Sequence, residues 1–317
     1  MNSKTLIIGA CGQIGSELTN KLRSELGTEN VIASDIRESN IELVNSGPFE
    51  IIDAKSYKQI KDCMQKHNVD TVYLMAALLS ATGEKFPEKA WDLNMNSLLN
   101  VLNLAKEKIV SKVFWPSSIA VFGPSTPKVN TPQRTIMEPT TVYGITKQVG
   151  ERWCEYYFNN YGVDVRSIRY PGIISWKTLP GGGTTDYAID IFHKAISDGK
   201  YDCFLTEDTA LPMMFMDDAV KATLDIMNAN ADDIKIRSSY NLSAISFTPK
   251  QLAAEIKKQI PEFTISYTPD FRQKIANSWP NSINDVEARY DWSWKHSYDI
   301  ETMTNEMLLQ LGKTIVS

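Results

Sequence analysis

The stretch TLIIGACGQIG, residues 5–15, joins an apolar run to three glycines at three-residue spacing, Gly9, Gly12 and Gly15. The apolar run predicts a buried strand, and the periodicity of residues 14–26 predicts an amphipathic helix directly after it. Glycines at such a junction let the backbone turn tightly and approach a pyrophosphate, which then rests on the helix N-terminus. This stretch therefore predicts the first βα unit of a nucleotide-binding sheet.

The same alternation of strand and helix continues along the N-terminal half of the chain. Further strands are predicted at 30–35, 49–53, 69–78, 110–118 and 164–172, and helices at 56–67, 88–108 and 142–161. Alternating elements of this kind indicate right-handed βαβ units. The predicted fold class is α/β, a Rossmann-type doubly wound parallel sheet with a smaller, discontinuous lobe. Beyond Pro171 the pattern loosens, and helices are predicted only at 186–198 and 217–229.

The bulk composition excludes several classes of protein. The 317 residues are 43% hydrophobic and 22% charged, with a net charge of −5, which argues against nucleic acid as the main partner. No apolar run approaches the roughly 18 residues of a membrane span. Three histidines show no metal-ligand spacing, so no metal is predicted, and four scattered cysteines indicate free thiols in a reducing compartment. A cytoplasmic location is predicted, with a trimmed organellar transit peptide as the alternative.

The second and third strands end in acidic residues suited to a dinucleotide. Asp35 lies twenty residues after Gly15, where a carboxylate accepts hydrogen bonds from ribose hydroxyls and repels a 2′-phosphate. This position favours NAD over NADP, although the neighbouring Arg37 is suited to accept that phosphate. The predicted cofactor contacts are Gly9, Gly12, Gln13, Ile14, Gly15, Asp35, Arg37, Asp53, Ala54, Ala76, Ala77, Lys147 and Tyr170.

A tyrosine and a lysine lie one helical turn apart in TVYGITKQ, residues 141–148. Tyr143 and Lys147 share a helix face, so the ammonium favours the phenolate form of the tyrosine and makes it a candidate general base. With the glycine loop upstream, the spacing resembles the Y-x-x-x-K of the short-chain dehydrogenase/reductase superfamily. By that resemblance Ser118 positions the substrate oxygen, Asn94 completes the catalytic set, and Ser117 is the neighbour suited as a control.

The remaining motifs resemble one group within the extended branch of that superfamily, the NAD-dependent epimerase/dehydratase type. PGGGTTDYAIDIFHKA, ALPMMFMDDAVKATL and SWPNSINDVEARYDWSWK closely resemble the L-threonine 3-dehydrogenases. The resemblance runs from the glycine loop to the C-terminal DWSWK. It implies NAD-dependent oxidation of the L-threonine 3-hydroxyl to 2-amino-3-ketobutyrate in threonine catabolism. It also implies a homodimer built on the helices at 88–108 and 142–161.

The resemblance also implies which residues contact the substrate. The candidate substrate contacts are Ser80, Ser118, Tyr143, Thr184, Thr185, Asp186 and Trp279. Asp186 holds its loop, meets the ammonium or caps the following helix, and Trp279 either closes over the substrate or belongs to the core. Met213 and Met214 are expected near the threonine methyl or in the core.

Residues 1–170 plus about 212–240 are predicted to form the NAD-binding domain, and about 171–211 plus 241–317 the substrate-binding lobe. PGGGTT, residues 180–185, is expected to gate the site. Unchanged hydrogen exchange across 178–190 on adding threonine and NAD would rule that motion out.

Two other functions compete with the dehydrogenase. A nucleotide-sugar epimerase of the same superfamily needs an arginine for the diphosphate where this chain has Leu211, and dehydratases need an acidic pair where it has Ile119 and Ala120. A non-catalytic NAD-binding regulator has no need to retain Ser118, Tyr143 and Lys147 together.

Overall fold

The computed structural model describes residues 4–177 and 183–316. The strands are β1 Lys4–Ile8, β2 Val31–Asp35, β3 Phe49–Ile51, β4 Val69–Leu74, β5 Lys112–Phe114, β6 Ser117–Ser118, β7 Asp164–Arg166, β8 Ile168–Tyr170, β9 Gly172–Ile174, β10 Lys200–Cys203, β11 Leu211–Phe215, β12 Tyr240–Asn241, β13 Ile245–Phe247 and β14 Thr264–Tyr267. The α-helices are α1 Gln13–Leu26, α2 Ile41–Asn45, α3 Tyr57–His67, α4 Ser80–Lys85, α5 Pro87–Lys106, α6 Val142–Tyr161, α7 Tyr187–Ser197, α8 Met216–Asn228, α9 Pro249–Gln259, α10 Phe271–Ala276, α11 Val286–Trp292 and α12 Ile300–Val316.

A six-stranded parallel sheet organises the N-terminal half of the chain. Its strand order is β3-β2-β1-β4-β5-β7, so the direction of winding reverses between β1 and β4. Ligands of doubly wound sheets bind outside the carboxyl ends of the strands at such a reversal. The α/β, Rossmann-type fold predicted from the sequence is confirmed, and the glycine loop follows β1 at this reversal point.

The chain divides into two compact units. The first comprises Met1–Val121, Thr140–Arg169 and Val220–Tyr240, and it contains the parallel sheet. The second comprises Phe122–Pro139, Tyr170–Ala219 and Asn241–Ser317. Within the second unit, β11 lies between β9 and β13 in a mixed three-stranded sheet, and β10 pairs with β14.

The segment Phe122–Pro139 belongs to the second unit through long-range hydrogen bonds. Lys128 Nζ donates to the Ser278 carbonyl at 2.7 Å, and Asn241 Nδ2 donates to the Thr131 carbonyl at 3.1 Å. These bonds join residues more than a hundred positions apart, so no local pattern in the sequence indicates them.

Prolines divide two of the predicted strands. The strand predicted at 110–118 is the two strands β5 and β6, separated by Trp115 and Pro116, because proline has no N–H to donate to a ladder. The strand predicted at 164–172 is β7 and β8, which break at Ser167, and β9 begins after Pro171. The strand predicted at 69–78 ends at Leu74, and the N–H groups of Met75 and Ala76 both donate to the Ile8 carbonyl.

The predicted helices lie where the periodicity places them. Ser56 accepts a hydrogen bond from the Gln59 N–H and caps α3, and Thr141 accepts from the Gly144 N–H and caps α6. In the described residues, no helix has both the length and the apolar character needed to cross a membrane. Those residues also contain no group of three or more His, Cys, Asp or Glu arranged to hold a metal ion.

Candidate active site

Two glycines of the loop are required by the packing of the first unit itself. Gly9 has a φ of +90°, which disfavours other residues, and a Cβ there would lie 2.5 Å from the Ala76 nitrogen. A Cβ on Gly15 would lie 2.2 Å from the Gly9 carbonyl oxygen. Gly9 and Gly15 therefore let the loop pack closely against β4 and α1.

Gly12 is different, because the protein leaves space beside it. Its φ of −74° suits any residue, and a Cβ there would meet only the Gly9 carbonyl oxygen at 3.4 Å, an ordinary contact. Gly12 is also the exposed N-cap of α1, where unpaired backbone N–H groups and the helix dipole favour an anion. The absence of a side chain at position 12 leaves the helix N-terminus open to a phosphate group.

Asp35 ends β2 and holds the glycine loop. One carboxylate oxygen accepts the Cys11 N–H at 3.0 Å, and the other accepts the Ile36 N–H at 2.8 Å. A carboxylate has about four acceptor sites, so Asp35 retains capacity for ribose hydroxyls. The side chain of Arg37 is exposed, and its carbonyl accepts the Cys11 thiol.

The other predicted cofactor contacts, apart from Tyr170 and Lys147, lie after strands of the six-stranded parallel sheet. Asp53 lies after β3, and its carboxylate accepts the Lys55 N–H at 2.9 Å, as in an Asx turn. Ala76 and Ala77 follow β4 and are half-buried, whereas Ala54 is buried. Tyr170 is buried at the end of β8.

Tyr143 and Lys147 lie on α6, and Ser118 ends β6, all within the first unit. The Tyr143 hydroxyl is hydrogen-bonded to Ser118. Lys147 is buried, and its Nζ donates to the Pro116 carbonyl at 2.5 Å. The same Nζ lies 4.6 Å from the ring centroid of Trp115 and 5.5 Å from that of Tyr143. Three of the four residues that the sequence predicts to be catalytic, Ser118, Tyr143 and Lys147, are therefore together in the structure.

Burial dominates the electrostatics of this group. Part of the Tyr143 side chain is accessible, yet burial around its hydroxyl raises the pKa of Tyr143 to about 12, against a smaller lowering by the Ser118 hydrogen bond. Burial lowers the pKa of Lys147 to about 7, and Cys154 and Glu151 oppose that change. Because desolvation disfavours both charged forms, phenolate chemistry here requires compensating positive charge near Tyr143.

Asn94 connects the loop after β4 to α6. Its Oδ1 accepts the Leu78 N–H at 2.8 Å, while its Nδ2 donates to the Leu78 carbonyl and to Thr146 Oγ1, each at 3.1 Å. Thr146 in turn donates to the Tyr143 carbonyl at 2.8 Å. Asn94 is buried and both ends of its amide are engaged, which is the arrangement of a residue that positions Tyr143.

A buried ion pair beneath this group is absent from the sequence predictions. Glu151 accepts a hydrogen bond from the Ser117 hydroxyl at 2.6 Å and pairs with Arg169 at 2.7 Å. Ser117 is therefore part of a buried network and is unsuitable as a neutral control for Ser118. The available sequence signal was the position of Glu151, one further helical turn along the face that carries Tyr143 and Lys147.

In the second unit, the candidate substrate residues at 184–186 precede α7. Thr184 is buried, and Gly172 makes room for Thr185 and Met213, because a Cβ there would lie 2.6 Å from Thr185 Cγ2 and 2.5 Å from Met213 Sδ. The Asp186 carboxylate accepts the Gly183 N–H at 2.7 Å and makes no capping bond to α7. Asp186 therefore holds its loop.

The other candidate substrate contacts are buried or half-buried side chains. Trp279 is buried in the second unit, as are Met213 and Met214. Ser80 is half-buried at the start of α4 in the first unit. Residues 178–182, which include most of the glycine run of the predicted gate at 180–185, lie outside the described residues.

This combination of a strand–glycine-loop–helix unit, a strand-end carboxylate and a Ser–Tyr–Lys group defines a nucleotide-dependent enzyme of the short-chain dehydrogenase class. Residues 5–243 match the family described as "NAD dependent epimerase/dehydratase family", and the chain belongs to that family.

Three individual proteins show which members of the family the chain is similar to. The chain is 55% identical to an L-threonine dehydrogenase from Cupriavidus necator (holo form), covering 97% of this chain and 99% of that one, with a TM-score of 0.95. A monomeric L-threonine 3-dehydrogenase from a metagenome database (apo form) is 48% identical, with 98% and 99% covered and a TM-score of 0.93. An uncharacterized epimerase/dehydratase of Staphylococcus saprophyticus is 48% identical over 307 residues, 96% of each chain.

Proposed function

We propose that this chain oxidises the 3-hydroxyl of L-threonine with NAD, giving 2-amino-3-ketobutyrate. The observation that carries the proposal is the hydrogen-bonded pair of Ser118 and Tyr143 with the buried Lys147 one turn along α6. Relatives with about half their residues identical over nearly their whole length are L-threonine dehydrogenases, which supports the substrate.

The first unit fits NAD at the glycine loop. The open space beside Gly12 and the N-terminus of α1 suit the pyrophosphate, and Asp35 suits the adenosine ribose. NAD, when bound, accepts the hydride from the substrate carbon. The predicted NAD-binding and substrate-binding roles are accordingly assigned to the first and second units.

The chain's own residues handle the substrate proton. Ser118 Oγ hydrogen-bonds the substrate hydroxyl, and the Tyr143 hydroxyl oxygen, as phenolate, accepts its proton. The Lys147 ammonium and the N-terminal end of α6, where Tyr143 occupies the first turn, both favour that phenolate. Asn94 acts through Thr146 to hold the first turn of α6 in place.

Recognition of the amino acid is assigned mainly to residues of the second unit. Thr184 and Thr185 supply hydroxyls for its polar end, and Asp186 holds the loop that carries them. Ser80 and Trp279 complete the proposed set of contacts. Leu211 is buried in β11, so the position where a sugar-nucleotide enzyme needs an arginine is apolar, which disfavours the epimerase.

Gly12→Val is expected to weaken NAD binding about tenfold or more, or roughly 1.4 kcal/mol, because the new side chain fills the space left for the pyrophosphate. Its melting temperature is expected to fall less than that of Gly15→Ala, since a Cβ at position 12 meets only an ordinary contact. Gly15→Ala is the contrasting variant and is expected to lower the melting temperature. Calorimetric titration and thermal unfolding measure the two effects; unchanged NAD affinity in Gly12→Val would contradict the assignment.

A homodimer joined through α5 and α6 is also proposed. Trp91 on α5 is 46% exposed and Ile145 on α6 is 40% exposed, which leaves apolar surface on both helices. Trp91→Glu is expected to convert the dimer to a monomer in light scattering, whereas Tyr290→Glu, in the second unit, is expected to leave the mass unchanged. A wild-type mass of one chain would exclude the dimer. One relative with 48% identity is described as monomeric, so the oligomeric state is open to test.

A panel of substrates tests the proposed reaction. Purified protein with NAD is expected to form NADH steadily with L-threonine and not with D-threonine, allo-threonine, serine or UDP-glucose. If L-threonine gives no NADH, the proposed substrate is wrong. Product analysis with UDP-glucose then tests the epimerase, which regenerates its NAD and gives no net NADH.

A further inference from the structure

A buried carboxylate lies one helical turn beyond Lys147 on the same face of α6. Glu151 is fully buried, and both of its oxygens are engaged by Arg169 of β8, at 2.8 Å from Nε and 2.7 Å from Nη2. The Ser117 hydroxyl donates a third hydrogen bond to this carboxylate at 2.6 Å. A buried charge of this kind is tolerated because it is paired and fully hydrogen-bonded.

The three residues before Ser118, which are Trp115, Pro116 and Ser117, all contact one face of α6. Trp115 packs against Gly150 so closely that a Cβ there would lie 2.3 Å from the indole ring. The Pro116 carbonyl accepts Lys147 Nζ, and the Ser117 hydroxyl donates to Glu151. Lys147 and Glu151 thus hold the backbone that leads directly into Ser118, and Arg169 anchors the same carboxylate from β8.

The charges that face Lys147 can be identified element by element. On α6 they are Tyr143, Glu151 and Cys154, β8 contributes Arg169 through its pair with Glu151, and the β5–β6 segment contributes the Trp115 ring and the Pro116 carbonyl. Burial raises the pKa of the Cys154 thiol far above its ordinary value, so Cys154 is neutral at working pH. Glu151 is therefore the negative charge that opposes desolvation of the Lys147 ammonium.

We propose that Glu151 is a positioning residue for the reaction, holding Ser118 against α6 through Ser117 and keeping Lys147 as the ammonium that favours the Tyr143 phenolate. The inference rests on the proposed function, because that function gives Tyr143 the role of base. Glu151 acts through Lys147 and Ser117 and does not itself contact the reacting atoms.

The pH dependence of kcat/KM separates this role from a purely structural one. Burial lowers the pKa of Lys147 and Glu151 opposes that lowering, so loss of the Glu151 charge is expected to lower the pKa of Lys147 further. With Lys147 neutral, Tyr143 ionises at higher pH, and the acid limb of the profile moves to higher pH. Glu151→Gln is expected to move it by about one pH unit, or about tenfold in rate at neutral pH.

Further variants complete the design. Glu151→Gln leaves Arg169 buried without its partner, which is destabilising. If that variant does not fold, Glu151→Gln with Arg169→Met is compared with Arg169→Met alone, because those two proteins differ only in the Glu151 side chain. Glu155→Gln is the matched control, because Glu155 lies one turn further along α6 in an exposed pair with Arg152. Its profile is expected to superimpose on that of the wild type.

A titration without substrate keeps this inference distinct from the proposed function. Tyrosinate absorbance of the NAD complex, compared with that of Tyr143→Phe, gives the ionisation of Tyr143 directly. A higher pKa for Tyr143 in Glu151→Gln supports the inference even if L-threonine is not a substrate. If the folded Glu151 variants keep the wild-type acid limb and the wild-type Tyr143 titration, Glu151 has no role in setting the charge of Lys147 and the proposal fails.

Discussion

Tyr143→Phe is expected to lower turnover about 100-fold or more, because loss of a general base costs roughly that factor. The variant removes one oxygen, the atom that is hydrogen-bonded to Ser118 and that accepts the substrate proton in the proposed function. The ring remains under Lys147 Nζ, so the first turn of α6 keeps its packing. Steady-state NADH formation and NAD binding by calorimetry measure the two consequences, and NAD affinity is expected to stay close to that of the wild type.

Tyr156→Phe is the matched control, because Tyr156 lies on the same helix with 46% of its side chain exposed and has no part in the site. Its turnover is expected to equal that of the wild type. Burial raises the pKa of Tyr143 to about 12 in the protein alone, so its work as a base depends on the nearby positive charge. Full activity in Tyr143→Phe would refute the role given to this tyrosine.

Arg166→Met is expected to lower the free energy of unfolding by about 3 kcal/mol, because backbone carbonyls lose a charged hydrogen-bond donor. Arg166 is almost wholly buried and pairs with Asp164 at 2.9 Å. Its Nη1 also donates to the carbonyls of Ile226, Met227 and Ala229 at the C-terminal end of α8. The substitution leaves the Ile226 and Ala229 carbonyls without this charged donor, whereas the Met227 carbonyl keeps Lys112 Nζ at 3.0 Å. Urea denaturation is therefore expected to show a lower midpoint.

Arg152→Met is the control for this stability prediction. Arg152 pairs with Glu155 at 2.8 Å on the exposed face of α6, and exposed pairs contribute between about 0 and 1 kcal/mol. Equal unfolding curves for the two variants would mean that Arg166 contributes no more than a surface charge. The test needs no assumption about the reaction, so it examines the structure of the first unit independently.

The parallel sheet and the glycine loop could be predicted from the sequence because their signals are local. Apolar runs give the strands, and Gly9 and Gly15 are required by contacts within a single βα unit and with the neighbouring strand. The same local reasoning overlooked the breaks at Pro116 and Pro171. At both prolines the sequence stays apolar, but the strands before and after the proline are hydrogen-bonded to different neighbouring strands.

The candidate site could be predicted only in part, because some of its contacts are local in sequence and others are not. The spacing of Tyr143 and Lys147 lies within one helical turn, whereas the partners of Glu151 are Ser117 and Arg169, 34 and 18 positions away. A glutamate on a helix ordinarily reads as a solvated surface residue, and only the folded chain reveals its burial. Asn94 was predicted in the site, but its hydrogen bonds to Leu78 and Thr146 depend on tertiary contacts that the sequence does not encode locally.

Transfer of the hydrogen at C3 of L-threonine tests the central claim most directly. L-Threonine carrying deuterium at C3 is incubated with the wild-type protein and NAD, and the reduced cofactor is analysed by mass spectrometry. Oxidation of the 3-hydroxyl predicts that the deuterium appears in NADH, with formation slowed relative to unlabelled threonine if hydride transfer limits the rate. Deuterium retained in threonine with no NADH formed, or NADH formed without deuterium, would contradict the proposed function.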